Sequence, residues 1–302
     1  MKQKGKMTNG PKQDKGEKKG SKQRVFNLII LDESGSMATI AKQAVSGLNE
    51  TFQTIINAQK EHQEQQHFIS FVTFNSARIK RVMNRQKVES DKKLKWSDYN
   101  PDDCTPLFDA MGRSLKELKY HVYGDDVALV TIITDGYEND SREFSGRDIK
   151  NLVAELKAKG WVFAYIGTNQ DVDAVADDLG IRSRMHYEYS DLGASEMFRT
   201  ESRSKREFYA RLHREGRNFM KEECYDYFKS YDQDDEEPEK EPDVTWDVDD
   251  DASTPALVTS DDDKQEEEEP TQQQEDTQSV ESPEESEEPK GFWDKVKNML
   301  KG

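Results

Sequence analysis

Two cysteines, Cys104 and Cys224, in 302 residues are too few for a disulfide framework. No basic-then-apolar leader opens the chain. Long apolar runs are scarce as well. Val25–Leu31 is interrupted by Asn27 and falls far short of the ~20 residues that cross a bilayer. These shortages argue against a stapled secreted scaffold and against a helical membrane protein. The expectation is a reduced, soluble, cytoplasmic protein.

Charge is present in excess but unevenly. The net charge is −18, yet residues 1–24 hold nine Lys/Arg against Asp14 and Glu17, while residues 231–290 hold 26 Asp/Glu against three Lys. The segment between is near neutral, as an ordinary domain is, and about 200 residues suffice for one domain with a substantial core. The flanks are too poor in apolar residues to offset the entropy of ordering. The composition therefore predicts a disordered basic tail over 1–23, one folded domain over 24–230, a disordered acidic linker over 231–290 and a separate C-terminal element over 291–302.

Within the middle segment, β-rich runs alternate with helical periodicity. Strands are expected at 25–31, 67–74, 77–83 (a hairpin partner through Asn75 and Ser76), 127–134, 161–167 and, weakly, 185–189. Helices are expected at 38–59, 106–123, 146–159 capped by Ser145, 171–179 closed by Gly180, and 194–229. The alternation predicts an α/β fold: a doubly wound, mostly parallel central sheet flanked by helices. Ligands of such sheets sit outside the carboxyl ends of the strands, where strand order reverses.

Polar residues stand at those ends. In LIILDESGSMATI (28–40), Asp32, Ser34 and Ser36 follow the first strand; Asp135 follows the strand at 127–134; and Thr105, at the expected start of a helix, lies on a loop that reaches the same edge. Two carboxylates and three hydroxyls suit a hard divalent cation, Mg²⁺ or Mn²⁺. The two aspartates about neutralise it, and the hydroxyls add oxygens without charge. An ion so held stays electrophilic and favours an incoming carboxylate, an Asp or Glu of another protein. The positive end of the helix beginning near Met37 favours the same anion.

DESGS at 32–36, Thr105 and the TDG of 134–136 resemble the metal-ion-dependent adhesion site of von Willebrand factor type A domains, in its D-x-S-x-S form with a distant Thr and Asp. The resemblance covers about residues 24–190. It implies a Rossmann-like fold in which Ser34, Ser36 and Thr105 touch the metal directly, while Asp32 and Asp135 hold it largely through waters or neighbours. Thr105 would be the ligand that moves on switching. Cys104 stands where these domains often have glycine. The single domain without a signal peptide is similar to the bacterial intracellular members, including those linked to stress resistance, and an adaptor or scaffold follows from it.

Other readings weigh less. DESGSM also fits a plain capped helix start, and Glu138, Asn139 and Asp140 fit a solvated loop as well as a partner-shaping role. A metal-dependent phosphohydrolase of the haloacid-dehalogenase type wants an acid two positions after its aspartate, and that position is Ser34. A nucleophile elbow is absent. The expected class is not an enzyme. The histidines 62, 67, 121, 186 and 213 fall at no metal spacing and read as surface or helix residues. Cys104 reads as a small buried neighbour of the site. The basic tail lacks interleaved aromatics, so nucleic-acid binding is the weaker alternative. At the other end, Phe292, Trp293, Val296, Met299 and Leu300 share one face of a twelve-residue helix, with Lys295, Lys297 and Lys301 opposite. That face predicts a docking helix for a second protein partner, ahead of an anionic membrane.

Overall fold

The computed structural model describes residues 22–88, 93–168, 172–221 and 225–228. The basic tail, the acidic linker, Cys224 and the docking helix with Phe292, Trp293, Val296, Met299 and Leu300 lie outside the described residues.

The order of elements is β1 (Gln23–Asp32), a 3-10 turn (Gly35–Ile40) running into α1 (Ala41–Glu61), β2 (Gln65–Asn75), β3 (Arg78–Lys87), α2 (Leu107–Lys119), β4 (Val127–Thr134), α3 (Gly146–Ala158), β5 (Val162–Gly167), α4 (Val172–Asp178), β6 (Ser183–His186) and α5 (Asp191–Glu215). The strands assemble as β3-β2-β1-β4-β5-β6. Every neighbouring pair is parallel except the β2–β3 hairpin at one edge. The sheet order reverses between β1 and β4: β2 follows β1 on one side, and β5 follows β4 on the other.

Side-chain alternation explains why both faces are covered. From β1, Val25, Ile29 and Leu31 enter the layer shared with α1 and α5. Phe26, Leu28 and Ile30 enter the layer with α2, α3 and α4. β4 divides the same way, Leu129 and Ile133 against Val130 and Ile132. Each such side chain, fully buried, contributes about 1.5–3 kcal/mol.

The α1/α5 face is not wholly apolar. Asn27 and Thr131 interrupt it at the centre of the sheet, and α5 answers each of them. The Tyr209 hydroxyl donates to Asn27 Oδ1 at 2.6 Å, and Lys205 Nζ donates to Thr131 Oγ1 at 3.0 Å while pairing with Glu201 in the last helical turn before it. Glu201, Lys205, Tyr209 and Leu212 follow one another at helical spacing and are all buried. A helix that reads as highly charged thus buries part of its charge. α1 crosses α5 closely at Gly47, where an added Cβ would lie 2.1 Å from the Phe198 ring.

Several expected boundaries move. The last helix ends at Glu215, not 229, because Gly216 turns into the left-handed region (φ 65°) and its N–H bonds back to Leu212. The first helix begins three residues late, after a 3-10 turn, and the second spans 107–119 rather than 106–123. The sixth strand lies at 183–186. Ser145 does cap α3, in a reciprocal capping box with Asp148. Among the described residues no helix is long and apolar enough to cross a membrane.

Candidate metal centre

β1 ends at Asp32, which is buried, and its two carboxylate oxygens are separately engaged. Oδ1 accepts from the Ser34 N–H at 2.8 Å, and Oδ2 accepts from the Thr134 hydroxyl, at the end of the neighbouring β4, at 2.6 Å. The Tyr99 hydroxyl donates to the Asp32 carbonyl at 2.6 Å. The aspartate is therefore held rigidly at the switch point of the sheet. Burial pushes its carboxyl up to about 7, against the hydrogen bonds from Thr134 and Ser34.

Ser34 precedes the 3-10 turn and Ser36 lies on it, their hydroxyls 3.1 Å apart, and Ser36 Oγ donates to Asp135 Oδ1 at 2.7 Å. Asp135 Oδ2 is buried and makes no hydrogen bond of ordinary geometry. Burial raises the Asp135 carboxyl as well, opposed by hydrogen bonding to Ser36 and to the Tyr189 hydroxyl. Thr105 stands two residues before α2, whose first residue is Leu107, so it does not cap the helix; its N–H donates to Asn139 Oδ1 at 2.8 Å. Its loop is laced to the first one: the Asp102 N–H reaches the Glu33 carbonyl at 2.9 Å, and the Gly35 N–H the Asp103 carbonyl at 3.0 Å. Asp103 takes the left-handed region (φ 65°) to make that turn.

Gly136 gives the size and lining of the space between these loops. A Cβ added there would lie 3.1 Å from Thr105 Oγ1, 3.8 Å from Ser36 Oγ and 3.9 Å from Asp32 Oδ2. Oxygens from three separate chain segments thus face one small space, open to solvent on the side of the exposed Gly35 and Ser36. The structure brings all five sequence-predicted residues, Asp32, Ser34, Ser36, Thr105 and Asp135, to one sheet edge.

Some supporting residues carry no motif signal. Thr134 and Gly136 lie inside TDG, but Tyr99 and Glu33 are recognisable only from the fold. Glu33 is buried; its Oε1 accepts from Arg78 Nη2 at 3.0 Å and from the Asn100 N–H at 2.8 Å. The segment at 138–140 is not a free solvated loop. Glu138 accepts from the N–H groups of Phe108, Asp140 and Ser141, and Asn139 holds Thr105. Cys104 is exposed rather than buried, and its N–H donates to Ser76 Oγ at 3.2 Å.

An open, doubly wound sheet with polar side chains gathered at its switch point defines an α/β binding domain. The von Willebrand factor type A domain model matches residues 28–200, and the chain belongs to that family, a family of protein-interaction modules. Solved structures resemble it at low identity. The PilB minor pilin from Streptococcus sanguinis is 12% identical over 63% of this chain and 63% of its own, with a TM-score of 0.42. The von Willebrand factor type A protein from Catenulispora acidiphila is 14% identical over 61% of this chain and 43% of its own, with a TM-score of 0.41. The SpRpn10 VWA domain is 12% identical over 58% of this chain and 94% of its own, with a TM-score of 0.45. The chain thus spans less than two thirds of the pilin and of the C. acidiphila protein. No curated protein sequence matches it.

Proposed function

We propose that this domain is a non-catalytic, metal-dependent protein-interaction module acting as an adaptor or scaffold: it binds Mg²⁺ or Mn²⁺ between Asp32, Ser34, Ser36, Thr105 and Asp135, and through that ion an Asp or Glu side chain of a protein partner. The observation that carries the reading is the oxygen-lined space at Gly136, faced by Thr105 Oγ1, Ser36 Oγ and Asp32 Oδ2, with the buried Asp135 carboxyl beside it. Two buried carboxyls that close together cost free energy that a cation would offset. Hard oxygen donors, two of them anionic, fit Mg²⁺ or Mn²⁺ and not a soft metal. When bound, the ion supplies Lewis acidity toward a carboxylate.

The chain's own groups do the rest. Thr134 and the Ser34 N–H orient Asp32, Ser36 orients Asp135, and Asn139 holds the Thr105 loop. The exposed Gly35 and Ser36 leave room for the partner's side chain. A phosphohydrolase reading finds no support at the general-acid position, which Ser34 occupies with its N–H turned to Asp32.

Titration calorimetry with Mg²⁺ and Mn²⁺ on the full chain tests this against Ser34→Ala/Ser36→Ala, which keeps every acidic residue of the tail. One equivalent of binding in the wild type that the variant loses supports the reading. Equal heats from both proteins overturn it. Release of phosphate from generic phosphoesters, abolished in Asp32→Asn, would replace it with the enzyme reading.

A further inference from the structure

At the amino edge of the sheet, opposite the cradle, a second group of metal-ligating side chains converges. β1 runs from Gln23 to Asp32, and the Gln23 N–H bonds the Glu64 carbonyl at 2.7 Å, so this group lies roughly 30 Å from Asp32 along the strand. His62 follows the last residue of α1, Glu64 lies on the turn into β2, and His213 comes from the last turn of α5. The sequence separation between His62 and His213 hides the grouping; of the histidines expected on the surface or on helices, His67 is the one that departs, buried on β2. The two imidazoles stack with centroids 4.9 Å apart and planes 20° from parallel. His213 Nδ1 meets Glu64 Oε1 at 2.8 Å.

We propose that His62, Glu64 and His213 form a second, transition-metal site of the Zn²⁺ class, one that staples the end of α5 to the α1–β2 turn. One candidate ligand atom from each side chain lies within 4.8 Å of the other two. A Zn²⁺ ion at about 2.0–2.1 Å from each requires ligand separations of about 3.3 Å. The remaining closure is a rotamer adjustment, since the His213 and Glu64 side chains are 52% and 51% exposed and free to move.

The backbone beneath two of them is already fixed. The His62 N–H bonds the Ala58 carbonyl at 2.8 Å, and the Gln65 N–H bonds the His62 carbonyl at 2.9 Å, which sets His62 and Glu64 on one closed turn. Two imidazoles and one carboxylate select borderline divalent ions such as Zn²⁺, Cu²⁺ or Ni²⁺, whereas the all-oxygen cradle selects Mg²⁺. Three protein ligands leave one position for water. The bland alternative, an exposed His–Glu ion pair, is worth at most about 1 kcal/mol. It accounts for Glu64 and His213, with His62 adding only its charge to Glu64, but does not explain why three ligand-type side chains from two helix ends and a turn converge within 4.8 Å.

The experiment uses the full chain and Zn²⁺ alone, then Co²⁺ as a visible probe. Calorimetry on wild type and on His62→Ala/His213→Ala is run beside far-UV circular dichroism and the metal-free melting temperature, which show that the variant folds. The expected result is one Zn²⁺ per chain, weakened at least tenfold in the double variant and partly in Glu64→Gln. Imidazole-type d–d absorption with Co²⁺ should appear in the wild type and be absent from the double variant. No Zn²⁺ binding by the wild type overturns the site, as does undiminished binding by a folded double variant. Loss of the Zn²⁺ heat in Ser34→Ala/Ser36→Ala instead assigns the ion to the cradle and equally overturns it.

Discussion

Gly136 is the residue on which the candidate site turns. Its φ lies outside the left-handed region that disfavours side chains, so alanine fits the backbone there, and the new methyl group would enter the space lined by Thr105 Oγ1, Ser36 Oγ and Asp32 Oδ2. Gly136→Ala should therefore abolish Mg²⁺ binding in calorimetry while moving the metal-free melting temperature by only a few degrees, the size of a ~1 kcal/mol perturbation. Retained Mg²⁺ affinity in a folded variant would mean that the ion binds elsewhere. A second residue-scale effect belongs to His67, which is buried on β2 with Nε2 3.0 Å from Gln65 Oε1 and Nδ1 facing Asn27 Nδ2 at 3.4 Å. Burial, helped by His62, pushes its imidazole down to about 3. The unfolded chain takes up a proton near pH 6.5 and the folded one does not. His67 thus contributes stability that is fully present above pH 6.5 and falls by about 1.4 kcal/mol per pH unit below it, down toward pH 3. His67→Gln should be less stable than wild type at pH 7, yet lose about 2.5 kcal/mol less between pH 7 and pH 4.5. Urea titrations at the two pH values read that difference, and parallel losses would assign the acid sensitivity to other groups.

The elements make α5 the most informative helix. Lys205 and Glu201 are buried beneath β4, and Thr131 Oγ1 donates to Glu201 Oε1 at 3.2 Å. Lys205→Met leaves Glu201 as an uncompensated buried charge and should cost about 3–5 kcal/mol in urea unfolding. Replacing both, Lys205→Met/Glu201→Leu, should recover more than half of that loss. A double variant as unstable as the single one would show that the polar bonds to Thr131, and not the charge, hold the helix. This helix also marks the limit of what is legible in the sequence. Strand β4 and helices α3 and α4 follow from local apolar runs, from Ser145 and from Gly180, all short-range signals. Asp32, Ser34, Ser36, Thr105 and Asp135 were recognisable because each follows an expected strand or precedes an expected helix. Gly216 lies inside the helix expected over 194–229 and ends it, and the burial of Lys205 shows only once Thr131 is known to lie opposite. Pairings such as Tyr209 with Asn27 and His213 with His62 join residues more than 140 positions apart. Only the sheet order brings them together.

For the molecule as a whole, the deciding quantity is where the charge sits. Residues 231–290 bear 26 Asp/Glu on the same chain as a site proposed to take one Asp or Glu from a partner. A covalently tethered carboxylate competes at an effective concentration of about millimolar for flexible tethers of modest length, falling slowly as the tether lengthens. Any single one of these acids is a poor copy of the true ligand, since it lacks the partner's surrounding contacts. Their number compensates for that weakness. Deletion of 231–302 should accordingly raise the Mg²⁺-dependent affinity for the partner several-fold. Because the competition is partly electrostatic, the gain should shrink as salt is raised from 0.05 to 0.5 M, where screening shortens to a few ångströms. The comparison requires a partner captured by the wild type and released by Ser34→Ala/Ser36→Ala, then titrated against the full and truncated chains. Equal affinities at low salt would show that the tail does not visit the site. A truncated chain that binds more weakly would instead make the 231–302 segment part of the partner interface.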